Sequence, residues 1–271
     1  MKSILVHIDA SPRSAERLGI AHRLAREQGA QLTALYGVLP TMLASPWAAA
    51  GGLSEAMPLL AEVDDEQRQR ARVLFDLANT AGDIVWAEAG VEALQGSLFE
   101  SALYADLLVL GQGDPQDMQA GALPPDMVPS LLADSGKPAL VIPYVGHFER
   151  IGQQVLLAWK PMRESAAAAT AALPWLRSAA QVHLVGPAEH AGGDTAALQA
   201  WLKQQGVGAP LQLHQVGEAQ VGDALLSLAA DVGADLLVMG CYGHSRAREL
   251  VLGGASRTVL RSMTLPVLMA H

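Results

Sequence analysis

The chain has 271 residues, of which 51% are hydrophobic, 17% charged and 4% aromatic, with a formal charge of −9. That apolar content excludes a disordered chain, and the acidic balance excludes a broad nucleic-acid footprint, which needs clustered Lys and Arg. Cys241 is the single cysteine, so no intrachain disulfide forms and a reducing, cytoplasmic compartment is expected.

The apolar run at residues 4–8, closed by Asp9, reads as a buried strand. It is too short for a signal-peptide core and carries no small-residue cleavage pattern behind it. A helix follows with Ala15, Leu18, Ala21 and Ala25 as its inner face, Ser11 and Ser14 as candidate caps and Gly29 as its stop. Residues 31–36 form a second strand. Residues 38–61 then interrupt the alternation. Pro40, Pro46, Gly51, Gly52, Glu55 and Pro58 break this stretch, so it lacks the roughly 20 uninterrupted apolar residues of a membrane helix. It reads as a loop over its own domain, with a lid or partner surface as the alternative. From Asp64 a helix places Val73, Leu74, Leu77 and Ala78 on one face. Strand 84–87, helix 91–104, strand 106–111, Pro-rich sequence and strand 139–142 complete this half.

The second half repeats the rhythm: strand 155–159, an Ala-rich helix over 164–180 kinked or broken at Pro174, strand 182–185, helix 195–205 and strand 211–216. A helix with Val221, Leu225, Leu228 and Val232 on one face, strand 235–239, a glycine loop, helix 255–263 and strand 267–269 follow. His183 and His214 lie in strands without a Cys or His at metal spacing, which predicts surface or half-buried polar residues rather than a zinc site. Residues repeat as well as rhythm. Ala105-Asp106-Leu107-Leu108-Val109-Leu110-Gly111 returns 129 positions later as Ala234-Asp235-Leu236-Leu237-Val238-Met239-Gly240. The first strands, aligned on Ile4 and Val155, are 151 positions apart, so the first copy carries about 22 extra residues before its fourth strand, with 38–61 the obvious insertion. Two copies of strand–helix alternation predict two α/β domains with parallel sheets, 1–146 and 151–271.

The stretch 239–256 holds the most chemistry. Gly240, Gly243 and Gly253 permit a concavity of inward-pointing N–H groups, and phosphate is its natural occupant. A helix beginning near Gly254 adds unpaired N–H groups and the positive end of its dipole. A tight connection without a ligand is the plainer alternative. Arg246 and Arg248 either reach a β or γ phosphate or form a solvated face with Glu249. Cys241 and His244 lack an orienting carboxylate and an oxyanion hole, so a packed thiol and a solvent-facing His are expected there. No G-x-x-x-x-G-K-[ST] occurs, and no G-x-G-x-x-G follows the first strand of either half, which disfavours a P-loop NTPase or a Rossmann dehydrogenase.

The spacing Gly240-x2-Gly243-x9-Gly253, after a strand and before the last helix of a βαβ repeat, resembles the universal stress protein family, here as a tandem pair. The likeness extends over nearly the whole chain, including residues 4–11 and Leu265-Pro266-Val267-Leu268. It implies doubly wound parallel sheets of the adenine nucleotide alpha hydrolase-like kind and a cytoplasmic, regulatory or protective role in stress. ATP or AMP is the implied ligand, with Mg²⁺ accompanying it. The implied partners are that nucleotide, the two domains for one another, and a second chain in a homodimer, with neither nucleic acid nor membrane. Catalysis is at most slow ATP hydrolysis, for which no general base is named.

Carried over by residue, Gly240, Gly243 and Gly253 match the phosphate and ribose loop. Gly254 stands where the family has Ser or Thr, and Ser256 or Thr258 offers a hydroxyl. Asp9 matches the family's nucleotide-holding Asp at the end of the first strand, where the second copy has Lys160, a donor in place of an acceptor. The first copy has Asp114 at the second glycine position, with Asp117, Pro124, Pro125 and Pro129 nearby, and reads as degenerate. The expected site is therefore in the second copy: Gly240, Gly243, Gly253, Gly254, Ser256 and Lys160. A nucleotide-independent interaction module is the alternative, and an enzyme acting through Cys241 or His244 the third reading.

Overall fold

The computed structural model describes residues 1–39, 41, 57–89, 94–113, 127–187, 193–217, 220–241 and 254–271. The chain divides into two compact units, Met1–Lys137 and Pro138–His271. In the first unit, β1 (Ser3–Ile8), α1 (Arg13–Gln28), β2 (Gln31–Tyr36), α2 (Met57–Ala78), β3 (Ile84–Glu88), α3 (Leu94–Leu103), β4 (Leu107–Gly111) and α4 (Met127–Ser135) follow in order. The four strands run parallel in the order β3-β2-β1-β4. Ile4, Leu5, Val6 and Ile8 of β1 are all buried, as expected of a central strand covered on both faces.

Two helical faces differ from the periodicity. On α1, Ala15 is exposed while Ser14 and Arg17 are buried. The helix has Pro12 at its N-cap and no side-chain cap, so Ser11 and Ser14 do not cap it, and Gly29 closes it in the left-handed region at φ 59°. On α2 the buried residues are Gln67, Ala71 and Phe75, while Val73 and Leu77 are exposed. The aromatic ring decides this orientation. Phe75 packs edge-on against Trp86 at 5.1 Å, and Trp86 stacks on Tyr36 at 5.9 Å, contacts that outweigh burial of Val73 and Leu77. Within 38–61, residues 40 and 42–56 lie outside the described residues; Thr41 is tied to Asp64 of α2 through its backbone N–H at 3.0 Å.

The second unit comprises β5 (Ala139–Ile142), β6 (Gln154–Ala158), α5 (Arg163–Ala171), α6 (Leu173–Ser178), β7 (Gln181–Pro187), α7 (Gly193–Gln204), β8 (Leu211–Val216), α8 (Val221–Asp231), β9 (Leu236–Gly240), α9 (Ala255–Ser262) and β10 (Val267–Ala270). Strands β8-β7-β6-β9-β10 run parallel in that spatial order. Strand β5, which the sequence places at the end of the first half, sits in this unit and pairs antiparallel with β10, Val141 opposite Val267. Pro174, near the start of α6, divides the helix expected over 164–180 into two. The buried face of α8 is Gly222, Leu225 and Ala229, one position off the predicted stripe, because Gly222 admits α9. A Cβ on Gly222 would come within 2.7 Å of Thr258 Cβ.

The repeated Ala-Asp-Leu-Leu-Val segment has a structural cause. Asp235 accepts the backbone N–H groups of Gly152, Gln153 and Gln154 at 2.9, 3.0 and 3.0 Å. Asp106 does the same for Lys2 and Ser3 at 2.5 and 3.1 Å. Each carboxylate thus ties the entries of two neighbouring strands, β1 to β4 and β6 to β9, and satisfies amides at the start of the ladder. Among the described residues, no helix is long and apolar enough to cross a membrane.

Candidate functional site

In the second unit the strand order reverses at β6, with β7 on one side and β9 on the other. A crevice outside the carboxyl ends of strands at such a point is where open α/β sheets bind ligands. The register Leu157 opposite Val238 brings Lys160 and Gly240 to the same carboxyl edge, and Gly254 stands at the N-cap of α9. Lys160 is exposed and makes no ion pair with a described residue. Helix α9 has no side-chain cap, and the N–H groups of a first helical turn have no intrahelical partner. Ser256 is 3% exposed, so its hydroxyl belongs to the packed side of α9, and Thr258 packs against Gly222. Gly243 and Gly253, like His244, Arg246 and Arg248, lie outside the described residues.

Gly240 is glycine for a reason the loop pattern does not contain. A Cβ there would stand 2.6 Å from both the Glu164 carbonyl carbon and the Ser165 nitrogen, so α5 packs its backbone directly onto the end of β9. Beside it, the Glu164 side chain is buried and accepts Arg163 Nε at 2.6 Å. Burial pushes its carboxyl up, but the bond from Arg163, a backbone N–H and the charges of Arg163 and His271 outweigh this and leave it below its ordinary value. Cys241 is a packed thiol, donating to the Ala270 carbonyl at 3.3 Å.

The equivalent crevice of the first unit is filled from within. Arg17 is 4% exposed. Its Nε donates to the His7 carbonyl at 2.6 Å, and its Nη2 donates to Asp9 at 3.0 Å and to Ser14 Oγ at 2.9 Å. Ser14 Oγ in turn donates to Asp9 at 2.7 Å, and the Ser11 N–H does so at 2.8 Å. Arg17 also packs so closely on Gly111, at the end of β4, that any Cβ there would collide with the guanidinium. Burial opposes ionisation of Asp9, yet Arg17, then the charge of His7 and the two serine bonds, hold its carboxyl far below the usual carboxylate range. His7 is pushed down to about 4, first by burial and then by the charge of Arg17. It is therefore neutral, and its Nε2–H donates to the Gly37 carbonyl at 2.6 Å. By the 151-residue offset, Arg17 corresponds to Ala168 of α5, which is fully buried. A guanidinium separates α1 from the sheet, whereas alanine lets α5 close onto Gly240.

Residues 155–271, most of the second unit, match the family model described as the universal stress protein family. Across the whole chain the fold resembles that of a universal stress protein from Archaeoglobus fulgidus, with a TM-score of 0.69 and 16% identity, covering 99% of this chain and 95% of that one. Residues 155–271 thus carry the pattern of the universal stress protein family. A putative universal stress protein from Pseudomonas aeruginosa has a TM-score of 0.59 at 18% identity, covering 99% of this chain and 92% of that one. At such identities the likeness is one of fold. In sequence, a universal stress protein from Synechocystis is 45% identical over 53 residues, which span 20% of this chain and 18% of that protein's length.

The second unit also has a cleft of about 310 Å³ at the ends of β6, β7 and β8 beside α7, lined by Trp159, Leu184, Gly186, Thr195, His214 and Gln215. Trp159 Nε1 is buried and has no acceptor among the described residues. His183 and His214, read from the sequence as unrelated, meet with Nδ1 and Nε2 3.0 Å apart. Burial, then the charge of His214, lowers the pKa of His183. The parallel register sets Val185 opposite His214, so His183 lies diagonally across from it on the same face. Two histidines in neighbouring strands at nearly matching positions were the available signal. Arg17, missed as a site residue, had a weaker one: an arginine on the inner side of a helix that follows a strand-terminal Asp.

Proposed function

We propose that the second unit binds an adenine nucleotide, ATP or AMP, in the crevice at the carboxyl ends of β6 and β9, and that through this binding the protein serves a regulatory or protective role in stress in the cytoplasm. The contrast between the two crevices carries the proposal: Arg17 fills the first, whereas Lys160 stands exposed at the second and pairs with no described residue. An ammonium beside an uncapped helix N-terminus favours a phosphate-bearing ligand. In this reading Lys160 and Gly254 belong to the site, and Gly243 and Gly253, outside the described residues, are expected from their spacing to supply amides. Gly240 and Ser256 shape it by packing. A helix N-terminus contributes about 0.3–1 kcal/mol and micromolar affinity needs about 8 kcal/mol, so the loop amides and the base must supply most of the binding. Glu164 places a negative charge nearby, and Mg²⁺ with a triphosphate offsets it.

Isothermal titration of the full chain with ATP and AMP, with and without Mg²⁺, tests this. One nucleotide per chain is expected, with binding lost in Gly243→Val and Gly253→Val. No heat and no thermal shift at millimolar nucleotide would overturn it. Gly240 favours a second reading, a nucleotide-independent interaction module, because packing of α5 explains that glycine without any ligand. Silent titrations together with a partner complex lost on deletion of residues 40–60 would support that reading.

A further inference from the structure

Helix α2 carries a stripe that the described residues of its own unit leave exposed. Its inner face is Gln67, Ala71 and Phe75, yet Leu59, Val73 and Leu77 are 63%, 58% and 71% exposed. They belong to one series, Leu59, Val63, Glu66, Arg70, Val73 and Leu77. Its alternating steps of four and three residues give the 3.5-residue repeat of a two-helix seam. Val63 is half-buried at the border with the unit's core, while Glu66 and Arg70 are exposed and pair along the helix at 3.2 Å.

The series is self-complementary. From either end it reads leucine, valine, charge, charge, valine, leucine. A two-fold axis beside residue 68, with helices antiparallel, sets Leu59 opposite Leu77 of the other copy, Val63 opposite Val73 and Glu66 opposite Arg70. An isologous contact has this property, each pair occurring twice. Parallel pairing would instead set Glu66 against Glu66 and Arg70 against Arg70 at the centre of the seam, which repels. We propose that two copies of this chain associate through α2 as an antiparallel helix pair, with Leu59, Val63, Val73 and Leu77 forming the apolar ends and Glu66 and Arg70 of both copies closing a four-charge ring at the centre. The occupant is a second copy because the apolar order is palindromic and the charges are of opposite sign about the same point, and no other partner needs that symmetry. The seam is short and its middle is polar, so the dimer forms at micromolar rather than nanomolar concentration.

Sedimentation equilibrium of the full chain over a wide micromolar range tests the proposal. The wild type is expected to dimerise, and Leu77→Glu to sediment as a monomer with unchanged circular dichroism, since Leu77 is exposed in the isolated chain. Glu66→Arg and Arg70→Glu should each weaken the dimer about tenfold, because each reversal turns two symmetry-related attractions into repulsions. The double reversal Glu66→Arg with Arg70→Glu should restore dimerisation to near the wild-type level. A wild type that is monomeric throughout, a dimer that Leu77→Glu leaves intact, or a double reversal that fails to rescue would each overturn the proposal.

Discussion

Replacing Arg17 with methionine keeps much of the side-chain volume but removes the cation, so it isolates the electrostatic role of the first crevice. The Arg17 and Asp9 side chains are only 5% and 9% exposed, and little solvent is available to screen what remains. Three hydrogen bonds disappear, to the His7 carbonyl, Asp9 and Ser14 Oγ, and Asp9 is left as a buried carboxylate without a counter-charge. Breaking such a pair from one side costs about 3–5 kcal/mol, or roughly 10–20 °C in the transition of a unit this size. Two units unfold separately in general, so the measurement must be local. Amide hydrogen exchange read by mass spectrometry on peptides covering residues 3–8 reports the opening free energy of the first unit.

The defect should depend on pH. In the wild type the Asp9 carboxyl is depressed, so its contribution is complete above the unfolded value of about 4 and is lost only as pH falls further. In Arg17→Met the same carboxyl is pushed up, protonates in the folded state, and the gap to wild type narrows between pH 7 and 4. Adding Asp9→Asn should recover most of the loss at pH 7, since an amide carries no charge to bury. A loss below about 1 kcal/mol at pH 7, or no rescue by Asp9→Asn, would refute the electrostatic account.

Gly240→Ala should destabilise the second unit by about 1–3 kcal/mol, because its Cβ meets α5 backbone rather than a movable side chain; exchange in β9 peptides measures this. Lys160→Ala should weaken nucleotide binding while changing stability by less than about 0.5 kcal/mol, as expected of an exposed side chain, with calorimetry and thermal melts read together. The neutral His7 makes the first unit lose stability as pH falls from about 6.5 toward the folded value of about 4, because only the unfolded imidazole takes up a proton in that window. His7→Gln should flatten the stability curve between those limits, and an unchanged slope would assign the acid sensitivity elsewhere.

The reach of the sequence is clearest where the determining residues are near neighbours. Strand–helix alternation follows from apolar runs and helical periodicity, and the copied Asp106 and Asp235 betrayed the repeat because one carboxylate per unit ties the same pair of strands. The glycine spacing pointed to the family that residues 155–271 match, and Lys160 and Gly254 lie at the carboxyl edge of that unit's sheet. Helical faces were less secure: apolar stripes one position apart on α2 and α8 differ little in hydrophobicity, and only Phe75 against Trp86, or Gly222 against Thr258, selects between them.

Contacts that join distant parts of the chain had to come from the tertiary structure. Arg17 fills the first crevice because β1 and β4, about a hundred residues apart, converge on its guanidinium. His183 meets His214 because one particular register exists between β7 and β8. Strand β5 joins the second unit because β10 offers it an antiparallel edge. Composition and periodicity act along the chain and therefore determine the elements and their repeat. Burial, pairing and charge neutralisation act across it, and they decided that the first crevice holds its own arginine while the second keeps an exposed lysine at its rim.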